Sequence, residues 1–293
     1  SACLVGSEMC IRDSARKHQG DINHFFSPSD CYVIPFLKNK KVVTWHDVGT
    51  GLMSQSVIKR WIRKKLLMAF PLYFADRLTC ISEHTKQELK ELYSGSENRS
   101  LVIYNCYNPK LEYTQHTFNT QKPIILQIGT GMRKNLAHVI EALQGIECVL
   151  YIVGKLSKEQ KRLLEENEIN YVSEYDVDFK RIIELYKLCD IVSFPSFYEG
   201  FGMPIIEANV TGRVVLTSRM GAIPEIAGDA VYYVDPHDIN DIRKGFLLLI
   251  KNVSYRNSLI EKGRINAKRF TVDKMINSCL LYTSPSPRDR QKS

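Results

Sequence analysis

No run of apolar residues in the chain is long enough to span a bilayer, so no transmembrane helix is expected. There is no CxxC and no grouping of histidine with cysteine, which excludes the usual spacing of a zinc site. Three of the eight cysteines, Cys3, Cys10 and Cys279, lie near the ends. The other five, Cys31, Cys80, Cys106, Cys148 and Cys189, are scattered through apolar contexts. An odd, unpatterned set argues against a disulfide framework and for reduced structural thiols in a reducing compartment. A short-period repeat and a low-complexity core segment are also missing. So are a nucleic-acid motif and a basic patch interleaved with aromatics, and nucleic acid drops out as a partner. That holds although Lys and Arg, 40 in all, outnumber Asp and Glu, 32, for a net charge of +8. The positive balance permits other anionic partners, phosphate-bearing ligands and acidic membrane among them.

The 293 residues suffice for one large or two ordinary domains. The ends do not fit the middle. SACLVGSEMCIRDS (1–14) lacks a start methionine, an amphipathic period and a signal-peptide layout, and CLLYTSPSPRDRQKS (279–293) is a Ser/Pro/Arg tail. Both resemble translated adapter sequence and are set aside from fold reasoning as non-native tails.

Between them, strands alternate with helices. KVVTW (41–45), RLTCIS (77–82) and LVIY (101–104) read as strands, and EHTKQELKELY as a helix capped by Ser82. Residues 57–70, VIKRWIRKKLLMAF, read as a basic amphipathic helix. Residues 108–122 are polar and read as an interdomain linker. A regular series follows, with strands at 123–129, 148–154, 169–172, 190–195, 213–218 and 230–235. The helices between and after them fall at 134–143, 157–168 (capped by Ser157), 178–189, 204–212, 238–250, 252–268 and 271–278. This pattern predicts an α/β protein built of parallel βαβ units. The second domain is expected at 119–265. The first, 15–118, shows three clear strands, few for a doubly wound sheet, and reads as truncated at its front.

Open α/β sheets bind ligands beyond the carboxyl ends of their strands. Three segments fall there, after 123–129, 190–195 and 213–218, and the first two carry the argument. GTGMRKNL (129–136) joins Gly129 and Gly131 in a flexible turn to Lys134, which opens the expected helix, and the set suits a phosphate. A plain strand-to-helix turn with a lysine is the alternative. SFYEGFGMPIIEANVTG (196–212) sets Glu199 on a loop, Gly200 and Gly202 in a flexible turn, Pro204 in a first helical turn and Glu207 one turn further. Two carboxylates so placed would accept hydrogen bonds from two separate sets of hydroxyls, as on a nucleotide sugar. The plainer reading makes Glu207 a favourable charge near a helix start and Glu199 a solvated side chain.

The surrounding pattern decides between them. PSFYEGFGMPIIEANVTGRVVLTSRMGAIPEIAGDAVYYVDPHDINDI (195–242) closely resembles the C-terminal domain of family 4 glycosyltransferases. The likeness continues through GTGMRKNL, ISEHTKQEL (81–89), VVTWHD (42–47) and RFTVDKM (269–275). The resemblance implies a GT-B fold, two Rossmann-like domains facing across a cleft, with residues 266–278 crossing back to the first. It also implies a retaining, metal-independent hexosyltransferase that uses no cofactor beyond its nucleotide-sugar donor. Carried over, it gives Glu199 the transferred sugar, Glu207 the ribose hydroxyls, and Lys134 with Arg133 the diphosphate. The loop at Gly129 and the amides of Gly202 and Met203 would add hydrogen bonds, and His46 would face the sugar from the first domain. The family's glycine-rich first loop is absent, and Thr130 stands where many members carry an arginine. A glycan or glycolipid acceptor, a cytoplasmic location and a role in polysaccharide or glycolipid assembly follow from the resemblance alone. The helix at 57–70 would then rest on the inner face of a membrane, against the plainer reading of a solvated basic face. The rivals are a nucleotide-sugar epimerase of the same fold and a donor-binding fragment that transfers nothing.

Overall fold

A strand that follows a helix returns in the direction of the strand before it, so alternation forces parallel pairing. The computed structural model describes residues 13–48, 69–93 and 95–283. Every strand pair in it is parallel. The chain divides into two units, Ser1–Tyr104 and Asn105–Ser293.

In the first unit the strands are β1 (Ile22–Phe25), β2 (Lys40–Trp45), β3 (Arg77–Cys80) and β4 (Ser100–Val102), ordered β1-β2-β3-β4. β1 was not expected: INHF alternates exposed with half-buried residues and carries two polar side chains, as an edge strand does. Helix α1 (Phe70–Phe74) precedes β3, and α2 (Glu83–Leu92) follows it. Ser82 caps α2, its hydroxyl accepting from Thr85 N at 3.1 Å. Val43, Trp45, Leu78 and Cys80 form a core with Ile34 and Leu89. Residues 57–68 of the expected basic helix lie outside the described residues.

The second unit holds β5 (Ile124–Ile128), β6 (Val149–Val153), β7 (Tyr171–Glu174), β8 (Ile191–Phe194), β9 (Val214–Ser218) and β10 (Tyr232–Val234). Their order is β10-β9-β8-β5-β6-β7. The helices are α3 (Leu136–Leu143), α4 (Lys158–Glu166), α5 (Phe179–Leu188), α6 (Met203–Thr211), α7 (Ile223–Ala227), α8 (Ile239–Lys251), α9 (Val253–Ala267) and α10 (Val272–Thr283). Alternate strand residues pack on opposite faces. Ile125, Ile191 and Val214 meet α3 and α8, while Leu126, Val192 and Val215 meet α5 and α6. β8 and β9 are buried throughout, so they read as continuous apolar runs relieved by Ser193, Thr217 and Ser218. Ser157 closes a capping box with Gln160 at the start of α4.

The expected linker is not one. Leu111 is buried in the second unit's core, and Tyr107 N donates to Phe270 O at 3.1 Å. The buried carboxylate of Asp190 accepts from Asn119 N at 2.9 Å and Ile124 N at 2.7 Å, and its Oδ1 lies 2.8 Å from His116 Nε2. The break therefore falls at Tyr104–Asn105 rather than 118–119, because polar residues here satisfy buried partners. At the other end α10 continues to Thr283, five residues into the stretch expected as tail (279–283).

Candidate functional site

From β5 the chain winds outward to β6 and β7, then returns to place β8 on β5's other side. The crevice at the carboxyl ends of β5 and β8 is thus the point where the strand order reverses, the place where open α/β sheets take ligands. Both segments singled out from the sequence open there.

After β5, Gly129 has φ +95°, and a Cβ on it would lie 2.9 Å from Lys134 Cγ. Met132–Lys134 form one 3-10 turn, and Asn135, at φ +59° in the left-handed region, is the N-cap residue of α3. Lys134 therefore precedes the helix rather than opening it, a correction the sequence did not suggest. Asn135 is buried, and its Nδ2 donates to Pro195 O at 3.0 Å and Pro236 O at 2.8 Å. Buried Gln127 donates from Nε2 to Lys134 O at 2.9 Å. These bonds aim the lysine: Nζ lies 2.6 Å from Glu199 Oε1 and 4.4 Å from the centroid of the Phe194 ring. Arg133 is exposed, and its carbonyl accepts from Phe197 N at 2.9 Å.

After β8, Glu199 is 6% exposed, not solvated. Its carbonyl accepts from Ala222 N at 2.9 Å. Gly221 presses so close, at φ +60°, that a Cβ would stand 2.3 Å from Glu199 O. Gly202, at φ +110°, is the N-cap residue of α6, Met203 its first residue and Pro204 its second. The first-turn amides of a helix have no intrahelical acceptor and carry its positive end, an anion-binding arrangement. Glu207 lies on α6, half-buried, and its Oε2 accepts from Tyr186 Oη–H of α5 at 2.7 Å. Burial pushes the Glu207 carboxyl above its ordinary value, and the Tyr186 bond opposes that rise. Tyr186 was not found from the sequence. Its one signal is a phenol among the apolar residues of an amphipathic helix; the carboxylate it meets is 21 residues away.

Lys134, Glu199, Gly202 and Met203 thus converge, with Gly129 beneath the lysine and Glu207 further along α6. His46 belongs to the first unit, exposed at the end of β2, where Nε2 donates to Phe26 O at 2.7 Å. That bond leaves Nδ1 as the second ring nitrogen. Among the described residues no group of three or more His, Cys, Asp or Glu is placed to hold a metal ion. Nor is any described helix long and apolar enough to cross a membrane.

Two Rossmann-like α/β units, the second with a cation and a helix amino end at its switch point, compose the GT-B fold. Residues 111–266 match the family model of glycosyl transferases group 1, and residues 7–111 that of glycosyltransferase family 4. The chain belongs to this family and is a glycosyltransferase. An uncharacterized glycosyltransferase of Methanocaldococcus jannaschii is 26% identical over 264 residues, 87% of this chain and 72% of that protein. The O-antigen chain mannosyltransferase B of Escherichia coli is 26% identical over 269 residues, 82% of this chain and 69% of that protein. The crystal structure of Anabaena HepE in complex with UDP and glucose superposes with a TM-score of 0.78 at 15% identity, covering 94% of this chain and 80% of that one.

Proposed function

We propose that the chain moves a hexose, with retention of anomeric configuration, from a nucleotide-diphosphate sugar to a saccharide or lipid-linked acceptor in polysaccharide or glycolipid assembly. The observation that carries this reading is the meeting of Lys134, Glu199 and the amino end of α6 at the β5/β8 switch point. The O-antigen mannosyltransferase relative supports polysaccharide assembly and makes a mannosyl donor the first to assay. The HepE complex supports a nucleoside diphosphate as ligand.

When the sugar–phosphate bond breaks, negative charge develops on the departing diphosphate. Lys134 and the first-turn amides at Gly202 and Met203 would meet that charge with preorganised donors, and no metal is needed in this scheme. For this Lys134 exchanges its Glu199 partner for a phosphate oxygen. The freed carboxylate then accepts from a hydroxyl of the sugar near the reacting carbon. Arg133 adds positive charge at the same loop. Glu207 holds the ribose, and donor and acceptor gain from being fixed together. His46 keeps the sugar-facing role the family resemblance gives it. The unbridged thiols of Cys80, Cys106, Cys148 and Cys189 support a cytoplasmic location. The basic stretch 57–70 is the segment we assign to peripheral contact with anionic lipid.

The test is a product analysis. The chain is incubated with UDP-, GDP- and ADP-hexoses and candidate acceptors, and the anomeric configuration of the glycoside is read by NMR. A product of retained configuration is expected, formed far more slowly by Lys134→Ala. An inverted product sinks the retaining mechanism, and an isomerised sugar formed without acceptor would establish the epimerase instead.

A further inference from the structure

Glu207 and Tyr186 carry an inference that rests on the donor-site reading and deepens it. A glutamate carboxylate turns almost freely about its last torsion, which is broad and roughly two-fold. Alone on α6, Glu207 would present either oxygen in any plane. The phenol of Tyr186 removes that freedom: it is fully buried among Leu185, Ile205 and Ala208, and its hydroxyl reaches Oε2 at 2.7 Å. Burial and the neighbouring carboxylate push the phenol well above its ordinary value, so it stays protonated and can only donate to Glu207. A phenylalanine would serve the apolar wall as well; the hydroxyl's use is the carboxylate it meets.

We infer that Tyr186 is the positioning residue of Glu207: by occupying Oε2 it leaves Oε1 as the oxygen offered to the ribose hydroxyls, and so makes the site select ribonucleotides over 2′-deoxyribonucleotides. One oxygen with two acceptor directions takes the 2′ and 3′ hydroxyls together. A donor lacking the 2′ hydroxyl leaves half of that capacity unmet in a partly desolvated place.

Calorimetric titration of the whole chain with uridine, guanosine and adenosine 5′-diphosphates, each as the ribo and the 2′-deoxy form, tests this. For the base that binds, the ribo form should bind about tenfold more tightly, the worth of one hydrogen bond to a charged group. In Tyr186→Phe the ribo form should weaken by about that factor, and the ribo-to-deoxy ratio should collapse toward one. The turnover rate at saturating donor should stay near wild type, so KM moves and kcat does not, and the melting temperature should fall no further than in Glu207→Ala. A Tyr186→Phe protein that keeps the ratio overturns the inference. So does one that loses both forms equally with a lowered melting temperature, since that is a packing role. Glu207→Gln keeps an acceptor for Tyr186 and should retain part of the ratio; a ratio as flat as in Glu207→Ala also overturns it. Glu207→Ala separates the two layers. If it leaves the ratio intact, or if no diphosphate binds the wild type, the donor-site reading falls and takes this inference with it. If it erases the ratio while Tyr186→Phe does not, only the role of Tyr186 falls.

Discussion

Glu199 and Glu207 sit on the same short loop-and-helix segment, yet the molecule treats them as different groups. The surroundings of Glu199 are ionic: a lysine ammonium touches it at 2.6 Å, and the backbone on either side is hemmed in by Gly221. The surroundings of Glu207 are neutral: a phenol donates to one oxygen, and the carboxyl's proton affinity is raised by burial. One carboxylate is held by charge and backbone crowding, the other by a single neutral hydrogen bond. Spacing alone cannot produce that difference. It comes from what β5 and α5 bring alongside. Under the proposed function an ion pair can exchange its lysine's partner for an incoming phosphate, whereas a neutral bond keeps one oxygen in place while the ligand meets the other.

The largest break should come from Lys134→Ala. It strands Glu199, and loss of a buried partner costs about 3–5 kcal/mol, here toward the low end because the lysine is partly exposed. Transfer should also fall about a hundred- to a thousandfold, as when one donor to developing negative charge is removed. Thermal melting and turnover measured together check both, and a loss no larger than for Glu207→Ala would erase the contrast. Gly221→Ala acts on the same side without touching a charge. The added Cβ would stand 2.3 Å from Glu199 O at φ +60°, and denaturant melts should show a loss of about 2 kcal/mol or more. Donor affinity at Glu207 should survive it in the folded fraction. Glu207→Ala leaves the buried Tyr186 hydroxyl without its acceptor and should cost about 1–2 kcal/mol, while Glu207→Gln, which still accepts, should cost less. Equal losses would mean the bond does not matter.

The smallest effect is in pH. Because burial raises the Glu207 carboxyl above the ordinary 4.5, the folded chain holds this proton more tightly than the unfolded one. The stability it contributes is full below that value and drains away as pH rises through the raised one. Glu207→Gln should flatten the fall in melting temperature above pH 4.5. Glu174 has the opposite sign: its bonds from Arg181 pull it down to about 2, so its contribution is full above the ordinary value and lost as pH falls toward 2. Glu174→Gln should lower the curve evenly above about pH 4.5 and alter its slope only below, and a changed slope above it would assign the upper slope to something other than Glu207.

Local chemistry was legible where one residue settles it. Ser82 and Ser157 cap as read, and the strands of the second unit fall within a few residues of their apolar runs. Pro204 marks the start of α6, and Glu199 with Lys134 was read as one site before their contact was known. What stayed hidden depends on partners far along the chain. The ion pair joins residues 65 apart, and the left-handed turn at Asn135 is held by carbonyls 60 and 101 residues away. β1 hid because an edge strand need not be apolar, and α7 because five residues are too few to show a helical period.

The stretch 105–122 has the look of a tether and the bonding of a foundation. Arg213, 2% exposed, donates to Thr114 O at 3.0 Å and to Thr114 Oγ1 at 2.9 Å, and Arg256 lies 3.6 Å from the centroid of the Phe118 ring. Asp190 receives its bonds from the same stretch. A recombination event that exchanged first units between relatives at residue 118 would replace the Thr114 and Phe118 side chains that meet two buried arginines and the His116 side chain that meets a buried aspartate. One at residue 104 would carry them along intact. The seam at which the first unit could be exchanged cleanly is therefore set by Thr114, His116 and Phe118, well inside what looks like spare chain.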